Sequence, residues 1–438
     1  MKIGYALGDF GGSIVFQSVT LYIMYFFTDV FLISAAAAGS ILFIAKFWNA
    51  ICDPMMGVFS DATRTRWGRK RPFLLFGALP LGLSFFLLLA SPPIESDMKF
   101  IYGLVMFLFF STMYSATGVP YGALTANMTS DSVERSKLTA FRMTFAIFAI
   151  LLIAGVTKPF VATFATEAQG FRSVGLIYGL LAAFFTIVTF LSVRERVIKD
   201  EKKNEGGFAA GLKILTGNRP FLLLSFTVIF QLTAINLLAS MVNYYFKYNL
   251  KSENMIPVAF LCLFLSTAAA LPVWVIISKK IGNKLAFNLG MGLLSLVLLS
   301  FYVIPLSPPV IAFLFVIAGI GMSTVYLHPW AMIPDTIDYS EWKTGFRREG
   351  LLYGFFYFAF KAAAALSGLI AGIGLSSFGY RPNMEQTGTA LGGIQMLMTI
   401  VPVSMIVVGI AIMSFYPLSE ADHLKMNEDL AKARSRPA

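Results

Sequence analysis

The side chains with the clearest chemistry are charged or polar residues that lie inside long apolar stretches. Lys46, Asn49 and Asp53 are spaced three and then four residues apart, so on a helix they share one face. Lys46 and Asp53 would lie about 10 Å apart along the axis, since each residue rises 1.5 Å. Asp53 precedes Pro54, whose ring removes a backbone hydrogen bond and frees a carbonyl. A carboxylate beside a freed carbonyl can hold a proton or a small cation.

Two more cations, Arg142 and Lys361, lie in other apolar stretches. A charge at the centre of a bilayer costs roughly 2.5–3.5 kcal/mol, so such residues face a protein interior or a water-filled cavity. Arg offers two parallel donors and Lys a point charge, which together suit a carboxylate, sulfonate or phosphate. Three cations against Asp53 therefore favour an acidic ligand. The structural alternatives are salt bridges from Asp53 to Arg142 or Lys361, and snorkelling of Arg142 to the membrane surface.

The elements that position these residues are stretches long enough to cross a membrane. The 438 residues are 57% hydrophobic and 13% charged, whereas a soluble protein has about 25% charged residues. Runs of about 20 apolar residues predict helices, because lipid leaves no other way to satisfy the backbone. The pattern predicts an all-α membrane protein with twelve spans at 3–33, 36–60, 72–92, 98–125, 138–163, 171–193, 220–247, 255–278, 283–304, 308–333, 350–378 and 390–416.

The distribution of Lys and Arg predicts the orientation of the spans. Alternate connections and the termini hold 25 of the 34 basic residues, and the opposite connections hold six, which predicts that both termini are cytoplasmic. The net charge of +11 follows from this asymmetry, so no nucleic-acid partner is predicted. We expect a monomeric, multi-pass protein of the cytoplasmic (inner) membrane, with the lipid bilayer as its surroundings.

The longest charged connection, 194–219, divides the chain into two sets of six spans. This predicts a six-helix bundle over 1–193, a cytoplasmic linker over 194–219, a second bundle over 220–418 and a cytoplasmic tail over 419–438. Two pseudo-symmetric bundles with a site between them are a recurring plan among carriers.

Enzymatic chemistry is not readable in this chain. The two cysteines and two histidines are scattered, so neither a disulfide framework nor a metal motif is predicted. A membrane enzyme would need paired acids, a His/Asp arrangement or a metal site. We therefore predict no catalytic residues, no metal site and no cofactor.

Several different short motifs follow one another along the chain, at 4–9, 25–29, 48–57, 57–71, 119–122 and 330–345, and then come Glu349, Gly350 and Lys361. The set resembles the major facilitator superfamily, and within it the glycoside–pentoside–hexuronide:cation symporters, which include the melibiose and glucuronide permeases. The resemblance implies the major facilitator fold and alternating-access symport of a sugar or glycoside with H⁺ or Na⁺.

The resemblance also implies a site for the coupling ion. The melibiose branch has two carboxylates one helical turn apart in span two, and the second matches Asp53 while the first falls on Asn49. A hydroxyl from span four matches Ser115. Because one carboxylate is missing, H⁺ is favoured over Na⁺, with Na⁺ at Asp53 as the alternative.

The basic residues Arg142 and Lys361 match substrate-side positions of the family, and Tyr326 matches an aromatic beside the sugar. The acids that hold neutral galactosides fall on Ser13 and Gly118. Their loss, with the excess of cations, favours an anionic sugar such as a hexuronide. Aromatic residues beside the motifs would stack on the sugar, with ordinary packing as the alternative. The predicted substrate-binding set is Lys46, Arg142, Lys361, Tyr114, Tyr326, Trp330 and Tyr357.

Charges near the predicted cytoplasmic helix ends are candidates for a gate, or simply for solvated loops that set topology. The predicted gating set is Asp9, Asp61, Arg69, Asp335, Asp338 and Arg347. Asp29, at the opposite end of span one, is expected to be an interfacial cap.

Two other carriers fit parts of the pattern. A lysolipid or other amphiphile carrier of the same fold would keep the cations for a headgroup and need an apolar side opening. A drug:proton antiporter would fit the loop at 57–71 but not the motifs of spans two and ten.

Overall fold

The computed structural model describes residues 2–128, 132–195, 215–344 and 349–418, together with 426 and 429. Arg347 and most of the 194–219 linker and the 419–438 tail lie outside the described residues. Within those residues the secondary structure is helical, with one isolated bridge between Thr65 and Gly68. In the part of the chain that the structure describes, twelve helical segments are long and apolar enough to cross a membrane, which confirms the predicted number of spans.

The first six spans begin with α1, whose last turn continues as a π-helix. Ser34 caps the start of the second helix by accepting from the Ala37 N–H at 3.3 Å, and Thr166 does the same for Gln169 at the start of the sixth. The elements are α1 (Lys2–Tyr25), a π-helix (Phe26–Val30), α2 (Ala35–Ala62), α3 (Arg71–Leu88), α4 (Ser96–Met128), α5 (Ser132–Val161) and α6 (Glu167–Ser192).

The seventh span, which opens the second set of six, ends in a five-residue π-helix, as span one does. Span ten is longer than predicted and runs through Pro329 and Pro334, while span twelve is interrupted at Thr399. The elements are α7 (Arg219–Tyr244), a π-helix (Tyr245–Asn249), a 3₁₀ turn (Glu253–Met255), α8 (Ile256–Ile281), α9 (Asn283–Ser300), α10 (Pro308–Thr344), α11 (Glu349–Ser377), α12 (Gly388–Met398) and α13 (Ile400–Ser414).

The chain divides by its contacts into two compact units. Unit 1 comprises 1–201, 239–261 and 365–397, and unit 2 comprises 202–238, 262–364 and 398–438. Unit 1 therefore contains the first six spans, the later parts of α7 and α11, the start of α8 and nearly all of α12. The domain organisation into two six-helix bundles over 1–193 and 220–418 stays a prediction.

Close helix packing in unit 1 depends on small residues. A Cβ on Gly82 of α3 would lie 2.5 Å from the carbonyl oxygen of Gly179 in α6, and the reverse overlap is the same. Only glycine lets these two backbones touch. Small residues of this kind are common where helices associate in membranes, because apolar burial does not drive helix association in lipid. The helix pairs α1/α5, α1/α6, α2/α4 and α3/α4 also pack closely in unit 1.

Unit 2 is built around α9, which packs on α10 and α13. Trp274 Nε1 donates to the Ile320 carbonyl at 2.8 Å, and the buried Gln231 Nε2 donates to the Ile406 carbonyl at 3.3 Å. The first bond links α8 to α10, and the second links α7 to α13.

Candidate functional site

The three predicted coupling residues come together where α2 packs on α4. Ser115 Oγ lies 2.6 Å from Asp53 Oδ1 and 3.2 Å from Asn49 Oδ1. Ser115 is buried, whereas Asn49 and Asp53 are half-buried. Helical spacing places both α2 residues on one face, and the α2/α4 contact brings the hydroxyl to them.

This cluster offers three converging oxygen atoms: a carboxylate, an amide and a hydroxyl. Asp53 can carry a proton, or the three oxygens can serve as part of the shell of a small hard cation. No group of three or more His, Cys, Asp or Glu side chains suited to a metal ion occurs in the described ranges. The arrangement thus fits a single exchangeable ion bound through one acid.

Lys46 lies on the same face of α2 as Asn49 and Asp53 and meets an aromatic surface. Its Nζ is 5.1 Å from the centroid of the Phe16 ring, and Phe16 stacks on Tyr114 at 5.4 Å and 21°. No ion pair to Lys46 is present among the side chains that the structure describes. A cation on an aromatic face without a carboxylate is a suitable place for an acidic ligand.

Open space adjoins this aromatic surface. A Cβ on Gly12 would meet nothing within 4 Å, and one on Gly118 would meet only Tyr114 Cε1 at 4.0 Å. The family resemblance implied that a sugar-binding acid of related carriers falls on Gly118. The room left by that missing side chain lies beside Tyr114, which the sequence had placed in the substrate set.

Arg142 is paired in a way that the sequence did not predict. Its Nε donates to Asp9 Oδ2 at 2.8 Å, and its Nη2 lies 3.5 Å from Asp9 Oδ1. The guanidinium also lies over the Tyr121 ring at 4.7 Å and the Tyr5 ring at 5.5 Å. The structure therefore joins a residue predicted to bind substrate, Arg142, to one predicted for a gate, Asp9.

This pair changes the balance of charge that the sequence suggested. Counting residues deep inside the predicted spans set three cations against Asp53 alone, because Asp9 and Asp29 lie near the ends of predicted span one. The contact of α1 with α5 supplies Asp9 as the counter-ion of Arg142. Of the three cations predicted to lie within the membrane, Lys46 and Arg142 belong to unit 1, and Lys46 has no ion-pair partner among the described side chains.

The predicted residues of unit 2 form an aromatic surface between α10 and α11. The Trp330 ring lies 5.3 Å from Tyr357 and 5.2 Å from Phe360. Lys361 follows Tyr357 by four residues and shares its face of α11. Tyr326 lies one turn before Trp330 on α10, and Tyr326 and Tyr357 are 44% and 54% exposed. Unit 2 thus groups Tyr326, Trp330, Tyr357 and Lys361 in one region.

The predicted gating residues Asp61 and Arg69, at the end of α2 and in the connection to α3, are held by an ion pair and by backbone hydrogen bonds. Asp61 pairs with Lys70, whose Nζ also donates to Ser60 Oγ at 2.8 Å. The backbone N–H groups of Arg69, Lys70 and Arg71 donate to the carboxylate of Glu195, at 3.0, 2.8 and 3.0 Å. An acid at a helix N-terminus is stabilised by those free N–H groups and by the helix dipole. Arg69 is thereby held through its backbone.

Glu195 was missed by the sequence reasoning. It lies just past the end of α6 in a basic stretch, and a single acid there was the one available signal. Gly68, at φ +108°, brings the loop against this carboxylate, because a Cβ at that position would overlap the Glu195 side chain. Two further predicted gate residues, Asp335 and Asp338, lie on the part of α10 that continues past the predicted end of span ten at 333. Asp335 lines a cavity of about 950 Å³ with Lys280, Lys284 and Tyr416.

Comparison with known proteins identifies the family. The sequence profile described as MFS/sugar transport protein matches residues 4–420. The chain belongs to this family. As an MFS/sugar transport protein it is similar to the uncharacterized symporter YnaJ of Bacillus subtilis (strain 168), with 34% identity over 98% of this chain and 94% of that protein. The identity is 30% to the glucuronide carrier protein homolog of Escherichia coli (strain K12), over 95% and 92% of the two chains.

A further relative is the isoprimeverose transporter of Lactiplantibacillus pentosus, with 29% identity over 99% of this chain and 92% of that protein. Among solved structures, a bacterial homolog to the human lysosomal transporter Spinster aligns with a TM-score of 0.68 at 12% identity, over 100% of this chain and 98% of that chain. This confirms the expected major facilitator fold. The chain is thus a multi-pass membrane transporter and not an enzyme, and its expected membership of a sugar-carrier family is confirmed.

Proposed function

We propose that this transporter carries an acidic sugar, such as a hexuronide, together with a coupling ion, and that the ion is H⁺ rather than Na⁺. The observation that carries the proposal is the arrangement on α2. Lys46 has no ion-pair partner among the described side chains, and it lies one turn from Asn49 and two turns from Asp53, which cluster with Ser115. One helix face therefore presents a site for an anion and a site for a cation.

In this scheme Lys46 holds the acid group of the sugar, and Phe16 and Tyr114 pack against its ring. Arg142, already engaged by Asp9, positions α5 against α1 rather than contacting the ligand. Lys361, Tyr326, Trp330 and Tyr357 of unit 2 stay predicted substrate-binding residues on the family resemblance alone. The name of the glucuronide carrier protein homolog supports an acidic substrate, whereas that of the isoprimeverose transporter leaves a neutral glycoside as the competing outcome.

Binding of the two ions would be coupled through their charges. A ligand anion held at Lys46 would lie about 10 Å from Asp53, given 1.5 Å per residue over seven residues. At an effective dielectric constant of about 20, two unit charges at that distance interact by about 1.7 kcal/mol, which is on the order of 15-fold in affinity. Because coupling is reciprocal, the anion favours protonation of Asp53 and the proton favours binding of the anion.

The proposal is tested by uptake into proteoliposomes under separate H⁺ and Na⁺ gradients. We expect an H⁺ gradient to drive uptake of glucuronide, and neutral glycosides to compete weakly. Lys46→Gln should lose the preference for the acid, while the matched variant Lys99→Gln, at the start of α4, should retain it. Full competition by neutral glycosides with none by glucuronide would overturn the acidic substrate, and uptake driven by Na⁺ alone would overturn the choice of ion. Competition by a lysolipid in place of both would favour the amphiphile carrier.

A further inference from the structure

We propose that the cavity of about 950 Å³ in unit 2 is a binding site for a phosphate ester, separate from the site for the transported sugar. We call it the α9 cavity, because the first turn of α9 forms part of its wall. Its polar lining includes Lys280, Lys284, Asn288, Asp335 and Tyr416. The proposal does not depend on which sugar or ion is carried, since none of these residues belongs to the sets predicted for substrate or coupling ion.

The first turn of α9 presents free backbone donors to this cavity. α8 ends at Ile281 and α9 begins at Asn283. Gly282 joins them at φ +81°, a conformation that favours glycine, and it has no side chain that could cap α9. The N–H groups of Asn283, Lys284 and Leu285 therefore have no hydrogen-bond acceptor among the described residues. Such N–H groups, together with the positive end of the helix dipole, form a common binding site for phosphate.

Two lysines add to the positive charge of this helix end. Lys284 lies in the first turn of α9 and Lys280 in the last turn of α8, while Asp335 is the single carboxylate among the described lining residues. A cation beside a helix N-terminus is unfavourable, because acids are the residues that stabilise this end. Lys284 Nζ is held by the carbonyl oxygens of Ser414 and Tyr416, at 2.7 and 3.0 Å. The lining thus keeps an excess of positive charge, which a bound phosphate would balance.

Two polar atoms in the wall of the cavity are buried without a partner. Tyr416 is only 4% exposed, and neither its hydroxyl nor Asn288 Oδ1 has a hydrogen-bond partner among the described residues. The hydroxyl lies near the carboxylate of Asp335, which also lines the cavity, so it is directed toward the cavity. Burial without a partner is costly for a polar atom, and a ligand that supplies the partner explains it. A phosphate oxygen would accept from Tyr416, and a hydroxyl next to the phosphate would donate to Asn288.

The Tyr416 hydroxyl is a donor at every physiological pH. Tyr416 follows the last membrane span, which ends at Ser414. Burial, reinforced by the Asp335 carboxylate, raises the pKa of Tyr416 far above its ordinary value. The phenol therefore stays protonated, and its proton is available to an anionic oxygen.

The position of the cavity favours the phosphate of a phospholipid headgroup. The spans that contain α8 and α13 end at Ile281 and Ser414, so the cavity lies at the level of a membrane surface. Ile281 and Leu285 line the cavity and are exposed, which places apolar surface for acyl chains beside the lysines. Basic pockets between membrane helices bind phospholipid headgroups in this way. A soluble phosphate ester has the same phosphate chemistry but would not use the apolar surface.

The test is titration of the purified full-length protein, followed by native mass spectrometry, with three probes. Phosphatidylglycerol has a phosphate and acyl chains, sn-glycerol 3-phosphate has the phosphate alone, and diacylglycerol has the chains alone. We expect phosphatidylglycerol to bind best and diacylglycerol to bind about tenfold more weakly or worse, because it lacks the charged acceptor. Equal binding of glycerol 3-phosphate and phosphatidylglycerol would support the phosphate site and assign it to a soluble ligand. Equal binding of diacylglycerol and phosphatidylglycerol would overturn the proposal.

Variants locate the binding of phosphatidylglycerol. Tyr416→Phe removes only a hydroxyl that has no described partner, so it should lower the affinity about fivefold or more without lowering the unfolding temperature of the lipid-free protein. Tyr302→Phe, at an exposed tyrosine of unit 2, is the matched control and should change neither quantity. Lys280→Gln should lower the affinity by a similar factor. The neighbouring Lys279→Gln should lower it much less, because Lys279 is exposed but does not line the cavity.

The exposed Lys280 keeps the test decisive if Tyr416→Phe fails to fold. Lys284 is left intact because its bonds to two carbonyl oxygens also hold the end of α13. If the folded variants bind phosphatidylglycerol as the parent does, the cavity is not the site and the proposal is wrong. It is also wrong if Lys279→Gln loses as much affinity as Lys280→Gln, since the lipid is then attracted to a basic surface in general. Sugar uptake is not measured, so failure of the proposed transport function leaves this result unaffected.

Discussion

The pairing of Arg142 with Asp9 gives the sharpest test of how the charges divide between structure and ligand binding. The contact has one short bond, at 2.8 Å, and the two side chains are 17% and 19% exposed. Two unit charges about 4 Å apart interact by about 4 kcal/mol at an effective dielectric constant of 20. Leaving one of them buried without its partner typically costs about 3–5 kcal/mol.

We therefore expect Arg142→Gln and Asp9→Asn each to destabilise the protein by about 3 kcal/mol, and the double variant by much less than the sum. The coupling energy should be about 2–4 kcal/mol. The assay is unfolding of the purified protein by sodium dodecyl sulfate in mixed micelles, followed by tryptophan fluorescence. The same four proteins are then compared for equilibrium binding of glucuronide.

The two readouts separate the possible roles of Arg142. If the pair is structural, as the geometry indicates, the double variant recovers both stability and affinity for glucuronide. If Arg142 instead holds the ligand directly, stability recovers and affinity does not. Additive losses of stability in the double variant would refute the reasoning, since they would mean that Arg142 and Asp9 do not stabilise one another.

Three further changes test other parts of the structure. Ser115→Ala removes a hydrogen bond to the Asp53 carboxylate and should weaken ion-driven uptake by about tenfold or more. Ser115→Thr keeps the hydroxyl and should retain ion-driven uptake. The ion dependence of initial uptake rates measures both effects. Glu195→Gln removes the charge that caps three backbone N–H groups and should lower the free energy of unfolding by about 1–2 kcal/mol, against no change for the exposed Glu95→Gln. Gly372→Ala should destabilise the protein because its Cβ would overlap Gly39. Gly292→Ala, which faces open space, should stabilise it by about 0.5–1 kcal/mol through helix propensity. Thermal unfolding should therefore shift in opposite directions for the two variants, and shifts in the same direction would contradict the close contact.

Much of the site was accessible from the sequence because it depends on spacing along single helices. Lys46, Asn49 and Asp53 share a face whatever α2 packs against, so their grouping needed only the helical period. Ser115 was placed with them by family resemblance, and the structure brings its hydroxyl to 2.6 Å from Asp53. Trp330 and Tyr357 were likewise named from motifs and meet at 5.3 Å.

Contacts between distant segments were not accessible in the same way. Asp9 and Asp29 were assigned from their positions near the ends of span one, which suggested a gate charge and an interfacial cap. Neither assignment could include Arg142, Lys247 or Tyr380, since no local pattern relates residues more than a hundred positions apart. Glu195 was overlooked for the same reason, because its partners are backbone N–H groups of a loop that precedes it by more than 120 residues.

The sequence by itself determined that this protein lies in a lipid bilayer, how many spans it has and which residues can do chemistry. Hydrophobic length and the absence of other ways to satisfy the backbone in lipid are enough for the first two, and residue type is enough for the third. Only the tertiary structure decided which charge neutralises which. Coulomb energy in a low-dielectric interior depends on distances of a few ångströms between helices, and helix packing alone fixes those distances. The pairing of Arg142 with Asp9, the burial of Asp29 under Lys247 and Tyr380, and the position of Lys46 on an aromatic face all follow from that packing.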